Sequence, residues 1–310
     1  MALEGLRQMV PFFQMRCAEA MGSRFSLSRV TVVHRHRIRR LGHSRAPMPN
    51  AFASEWIKLR RRSLFYGSYA AIVAVACLVT VLTFSSAGRT AATGPAGEST
   101  PLALLAQSGG SVNGLEDSLT ILGVIAFAIA ASQTGMEYGQ GTLRNLLVRQ
   151  PRRILLLVGK FLAVSTFMIG AVALATVSSV VVAFVMAHGR RILTDEWTTL
   201  AGLQAMGTGF IDVALATVGF ALLGMALGIV TRSSVAAVAI GIAYLLPVEQ
   251  ILASTVTSTA GYLPGELLSA VAQGGTSTIG YAHSLVGTLL YLATAAGIAI
   301  TLSVRRDVTS

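Results

Sequence analysis

Charge is the scarcest ingredient of this chain. Only 12% of its residues are Asp, Glu, Lys or Arg, about half of what a soluble globular domain carries. Against that, 53% are hydrophobic and the mean hydropathy is +0.67. Such a deficit excludes an ordinary soluble domain. Lysine is scarcer still: Lys58 and Lys160 are the only two, so the formal charge of +11 rests on arginine. Cysteine is limited to Cys17 in the N-terminal stretch and Cys77 inside an apolar run. With no CxxC spacing, a disulfide framework and a thiolate metal site are both excluded.

Motifs for catalysis are lacking as well. No GxxxxGK[ST] phosphate loop occurs; Gly159-Lys160 is followed by Phe161, and Ile154 stands where the first glycine belongs. No HExxH, GxSxG or paired-carboxylate arrangement appears, and His188 and His283 stand alone at the ends of apolar runs. An enzyme reading has little to stand on, and the residues imply no cofactor and no metal.

What the chain does have is long apolar runs, the signature of transmembrane helices. Six spans are expected, near 66–86, 119–133, 161–187, 206–230, 235–252 and 283–304, the fifth bent at Pro247. The fold class is therefore an all-α integral membrane protein. With both termini in the cytoplasm, only Arg89, Arg190 and Arg191 fall outside, leaving 21 of the 24 basic residues inside. The opposite orientation inverts that ratio, so the cytoplasmic membrane with both ends inside is the expected placement. In a soluble protein +11 would suggest nucleic acid. Here nine arginines precede Pro47 and most others flank the spans, so anionic lipid headgroups account for them and no nucleic-acid partner is expected.

Residues 1–50 form a basic stretch broken by Pro47 and Pro49. Three readings stay open: a disordered tail on the inner leaflet, an extension upstream of a true start near Met48, or an accessory element. His34, His36 and His43 sit among arginines that would repel a cation. Residues 51–310 make up the membrane domain. It opens with a short amphipathic helix over Ala51–Arg62, capped by Ser54 and lying on the membrane surface. Phe52, Trp56 and Leu59 form its apolar face, and Lys58 and Arg60 to Arg62 meet the headgroups. Residues 87–116 read as an outer loop. GYLPGELLSAV, between the fifth and sixth runs, reads as a short outer or re-entrant helix.

Few polar residues fall within the apolar runs. Asp212 lies inside the fourth, where an ionisable side chain is expensive and is a functional candidate by default. A carboxylate paired with a neighbouring helix is the competing account. Glu249 follows Pro247, and Glu266 sits in the short outer helix; either lines a polar path or reaches headgroups. Gly224 and Gly228 make a GxxxG pattern that lets helices approach closely.

The segment Gly135–Lys160, GMEYGQGTLRNLLVRQPRRILLLVGK, is a basic, proline-interrupted stretch between two spans. It carries Arg144, Arg149, Arg152, Arg153 and Lys160 against the single acid Glu137. It resembles the cytoplasmic loop of ABC-2-type transporter permeases, the membrane subunits of ATP-binding cassette exporters. Glu137, Gly141, Thr142, Leu143, Arg144, Leu147, Pro151, Arg152, Arg153, Gly159 and Lys160 follow that family's order. Ser54, Glu55, Trp56, Lys58 and Leu59 resemble its amphipathic connecting helix. LPVEQIL and YLPGE look like actinobacterial members, whose outer loop often carries re-entrant helices. The resemblance covers about 51–306; the first 47 residues depart from it.

The resemblance implies a permease powered by a separate ABC ATPase subunit. Two copies, identical or paralogous, would pair in membrane lipid, with a path lined by the second and fifth spans. It implies that Glu137, Gly141, Thr142, Arg144, Pro151, Arg152, Arg153 and Lys160 receive the push of the ATPase, beside the interfacial Glu55, Trp56 and Lys58. Asp212, Glu249 and Glu266 would border the path of a drug-, lipid- or peptide-like cargo. Two other classes stay open at this point. One is an ion-coupled secondary transporter working through Asp212, although no internal repeat supports it. The other is a non-transporting scaffold or immunity protein on the same fold.

Overall fold

The computed structural model describes residues 48–88, 101–139 and 153–305. Among these every regular element is helical, and six helices are long and apolar enough to cross a membrane. The chain is therefore an all-α, multi-pass membrane protein.

Helix α1 spans Met48–Leu59 and α2, the first membrane helix, Arg62–Ser86. Two short turns, α3 (Leu102–Leu105) and α4 (Asn113–Asp117), precede α5 (Leu119–Gly139). The third crossing, α6, runs from Arg153 to Arg190, and the fourth, α7, from Leu200 to Thr231. The fifth is built of α8 (Ser234–Ala243), a wide π turn over Tyr244–Val248, and α9 (Glu249–Thr255). Then come α10 (Pro264–Ala272) and the last crossing, α11 (Tyr281–Arg305).

The sequence expectations fail mainly at helix ends. The second span is expected over 119–133, lengthened by Leu115 and the turn before Glu137; α5 takes in that turn and continues to Gly139, while Leu115 belongs to the separate turn α4. Thr134 is absorbed because its hydroxyl donates to the Ala130 carbonyl one turn back (2.8 Å). The third span is expected from Phe161, but its helix already starts at Arg153, two residues after Pro151. Ser54 is not the cap of α1: the helix begins earlier, at Met48, and the Ser54 hydroxyl donates to the Ala51 carbonyl instead. The bend at Pro247 takes the form of the π turn, because proline brings no N–H to the helical ladder.

The stretch expected to be a plain outer loop holds α3 and α4, which fold onto the bundle. Leu105 and Leu115 are fully buried, and Trp197 from the α6–α7 connection packs with Phe84 and Phe184 in edge-to-face contacts. The Trp197 indole N–H donates to the Leu105 carbonyl (3.1 Å), so its polar atom is satisfied inside the apolar cluster.

The centre of the bundle is α7, the most buried crossing, laid along α5. Gly224 and Gly228 set that contact. A Cβ at Gly224 would stand 2.3 Å from the Phe127 carbonyl oxygen, and one at Gly228 would stand 2.8 Å from that of Ala131. Only glycine lets the two backbones approach so closely, and in lipid close packing and hydrogen bonding replace the hydrophobic drive. A second tie joins α2 to α6, where Thr80 and Ser179 share a buried hydrogen bond (2.7 Å). Large apolar side chains such as Val185 and Val235 point outward, as a lipid-facing surface requires.

Candidate functional site

The chain's two lysines end up side by side. α1 places Glu55 and Lys58 one turn apart on a single face, α5 carries Glu137 in its last turn, and α6 carries Lys160 two turns from its start. Lys58 Nζ lies 2.5 Å from Glu55 Oε1 and 2.8 Å from Glu137 Oε1. Lys160 Nζ lies 2.6 Å from Glu137 Oε1 and 3.3 Å from Glu55 Oε2. Each lysine therefore touches both glutamates, and three elements distant in sequence are knotted at one end of the bundle, here called the lysine end.

Local packing explains how the helices come close enough. Ala51 is buried against Gly159, where an added Cβ would sit 2.8 Å from the Ala51 Cβ, so α1 lies directly on the first turns of α6. Trp56 stacks on Phe52 (ring centroids 5.8 Å apart, planes at 13°), and both pack against the main apolar core. Glu55 and Lys160 are each 6% exposed. Two carboxylates and two ammonium groups cancel, and that neutrality makes the burial tolerable. Burial would pull the Lys58 ammonium down, but its hydrogen bonds to Glu137 and Glu55 outweigh that and hold it above the usual lysine value. Against its burial, the nearby lysines in turn hold the Glu137 carboxyl below the usual carboxylate range.

The other residues expected at a site fall into three groups. Gly141, Thr142, Arg144, Pro151 and Arg152 lie outside the described residues. Arg153 opens α6. Asp212, Glu249 and Glu266 belong to the opposite end of the bundle, the far end, and are not one cluster. Asp212 on α7 accepts from the Tyr281 hydroxyl at the start of α11 (2.7 Å). Glu249 is 1% exposed, so it does not reach outward to headgroups. Its Oε1 accepts the backbone N–H groups of Gly265 (2.6 Å) and Glu266 (3.1 Å), capping α10. The Glu266 carboxylate in turn accepts from the Gln250 side-chain amide (3.2 Å).

Sequence reasoning missed three features here. Tyr281 as partner of Asp212 carries no signal at a separation of 69 residues. Glu116 and Asp117 were readable as adjacent acids before a span. Asp117 accepts from the Thr83 hydroxyl (2.9 Å), while burial and then the charges of Asp117 and Asp212 push Glu116 up to about 7. For the lysine pairing the one signal in the sequence is that lysine occurs only twice, which does not name the partners.

No curated protein matches the chain. The model of a family described as "ABC-2 family transporter protein" matches residues 51–248, from the first turn of α1 to the π turn of the fifth crossing. That match takes in more than half of the sequence and every residue of the lysine network. The chain belongs to the ABC-2 family of transporter proteins, as a membrane permease.

Proposed function

We propose that this chain is the transmembrane half of an ATP-binding cassette exporter of the cytoplasmic membrane. It would work as a pair of permeases, identical or paralogous, driven by two separately encoded ATPase subunits. The lysine end faces the cytoplasm in this reading, as the arginine distribution favours. No residue of the chain hydrolyses ATP; its part is to receive force and move a drug-, lipid- or peptide-like cargo along a path bordered by α5 and the fifth crossing.

The observation that carries this reading is the buried Glu55–Lys58–Glu137–Lys160 network. A force-receiving surface must pass displacement into several spans at once. Here three ion pairs join α1, α5 and α6 to one another and a fourth lies within α1, and α5 and α6 are the two helices that flank residues 140–152. Glu137 sits just before that segment and Lys160 just after it. An ATPase pressing on 140–152 therefore loads α5 and α6 together, and α1 stiffens the joint.

The test is to purify the tagged permease in mild detergent from cells expressing its neighbouring genes, and to assay bound ATPase. A stoichiometric cassette subunit, its permease-stimulated turnover lost in Glu137→Gln, supports the assignment. A clean permease without ATPase, whose ion-driven transport stops on Asp212→Asn, replaces it with the secondary-transporter reading.

A further inference from the structure

The far end contains a carboxylate that is only half used. Glu249 Oε1 takes two backbone N–H groups of α10, whereas Oε2 is buried and meets no hydrogen-bond donor among the described residues. A buried acceptor is rarely left without a donor, because its lost hydration is then uncompensated. Neither lysine is near, because both are held at the opposite end. Oε2 lies over Gly265, where an added Cβ would stand 2.7 Å away. Glu249 and Gly265 both line a small cleft whose other polar members are Thr120 of α5, Gln250 of α9 and Ser269 of α10, with Phe220 and Leu245 as apolar walls.

We propose that this cleft binds one ordered water molecule, which donates to Glu249 Oε2 and bridges it to Thr120 and Ser269, locking α5, α9 and α10 together. A buried water needs two to four polar partners and little more than its own volume, and the cleft supplies the hydroxyls, the amide and the orphan oxygen. A headgroup or cargo molecule does not fit in that space. A metal ion would want several carboxylates, and no group of three His, Cys, Asp or Glu side chains suited to a metal occurs among the described residues. Gly265 is part of the design: a side chain there would press on the carboxylate itself.

The consequence rests on the permease reading, although the site does not. α5 carries Thr120 near one end and Glu137 near the other. The bridging water is then the last link between the lysine network and α10, which is wedged between α7 and α11 through Leu268 on Gly219 and Leu267 on Gly287.

The experiment is a structure of the full chain in lipid nanodiscs, at a resolution that shows waters, with amide exchange on Thr120→Val, Glu249→Gln and Glu249→Ala. The wild type should show one peak at roughly 2.6–3.2 Å from Oε2 and from the Thr120 hydroxyl, absent in Thr120→Val. The Gly265 and Glu266 amides should exchange roughly tenfold faster in Glu249→Ala, which loses the cap, and within about twofold of wild type in Glu249→Gln, which keeps it. In Thr120→Val they should exchange severalfold faster with the rest of the pattern unchanged. A wild-type map with no peak overturns the site. So does a peak present in sodium buffer and lost in choline, or wild-type exchange in Thr120→Val. A peak in a chain that recruits no ATPase keeps the water and removes only its role in transmission; ATPase recruitment without a peak does the reverse.

Discussion

The two ends of this bundle solve the problem of buried carboxylates in opposite ways. At the lysine end, Glu55 and Glu137 are met by full positive charges within 2.5–3.3 Å. At the far end, Glu249, Asp212 and Asp117 are met by backbone amides, a phenol and a threonine hydroxyl. Charge pairing is strong but brittle, because removing one member strands another in low dielectric. Neutral donors give less, but each loss is small and local. One end is therefore built to hold its arrangement as a unit, and the other to release contacts one at a time.

The largest effect should come from breaking the strong end. Lys160→Met removes one of the two ammonium groups that meet Glu55 and Glu137 and should cost about 3–5 kcal/mol, read as a lowered thermal midpoint or loss of folded protein in detergent. Adding Glu137→Gln to it should restore part of the loss; a double variant that is simply the sum of the singles would show that the four groups do not act together.

At the far end Trp197→Phe keeps an aromatic ring but removes the N–H that satisfies the Leu105 carbonyl and leaves the smaller phenyl in a buried indole site. It should cost about 1–2 kcal/mol, visible as faster amide exchange in α3 with the lysine end unchanged. A matching change in α1 would dissolve the distinction between the ends.

Acidity sharpens the contrast further. Burial and then the charges of Asp117 and Asp212 raise Glu116 from 4.5 to about 7, so the fold prefers its neutral form. That contribution is complete below about pH 4.5 and is lost as pH rises through about 7. Thermal midpoints measured across that window should fall with rising pH in the wild type and fall less in Glu116→Gln. Equal slopes would mean Glu116 does not distinguish the folded state. The smallest effect belongs to Tyr281→Phe, which removes one exposed hydroxyl from Asp212 and should cost about 0.5–1 kcal/mol or less.

These contrasts were unequally visible in the sequence. Six apolar runs announce six crossings, because lipid leaves the backbone no alternative to helix. Helix ends were less legible: Thr134 and Glu137 look like loop by composition, yet one bonds back to its own helix and the other finds lysines from two other elements. Lys58 and Glu137 are 79 residues apart, and no local pattern marks that meeting. α3 and α4 were hidden for another reason. Their four- and five-residue turns owe their form to what packs behind them, Trp197 and Phe84 behind Leu105 of α3 and Thr80 of α2 against Gly114 of α4, not to any periodicity of their own.

Helix α6 has 38 residues, which at 1.5 Å per residue makes a rod of about 57 Å. The hydrocarbon layer it crosses is about 30 Å thick, so nearly half of the rod must stand beyond it or lie oblique to it. A rod pivoting at its middle converts a tilt of about 10° into a shift of about 5 Å at each end. Lys160, close to the tip at Arg153, rides on that arm. A small rotation at the pivot is thus a large stroke at the very place where α1 and α5 are fastened.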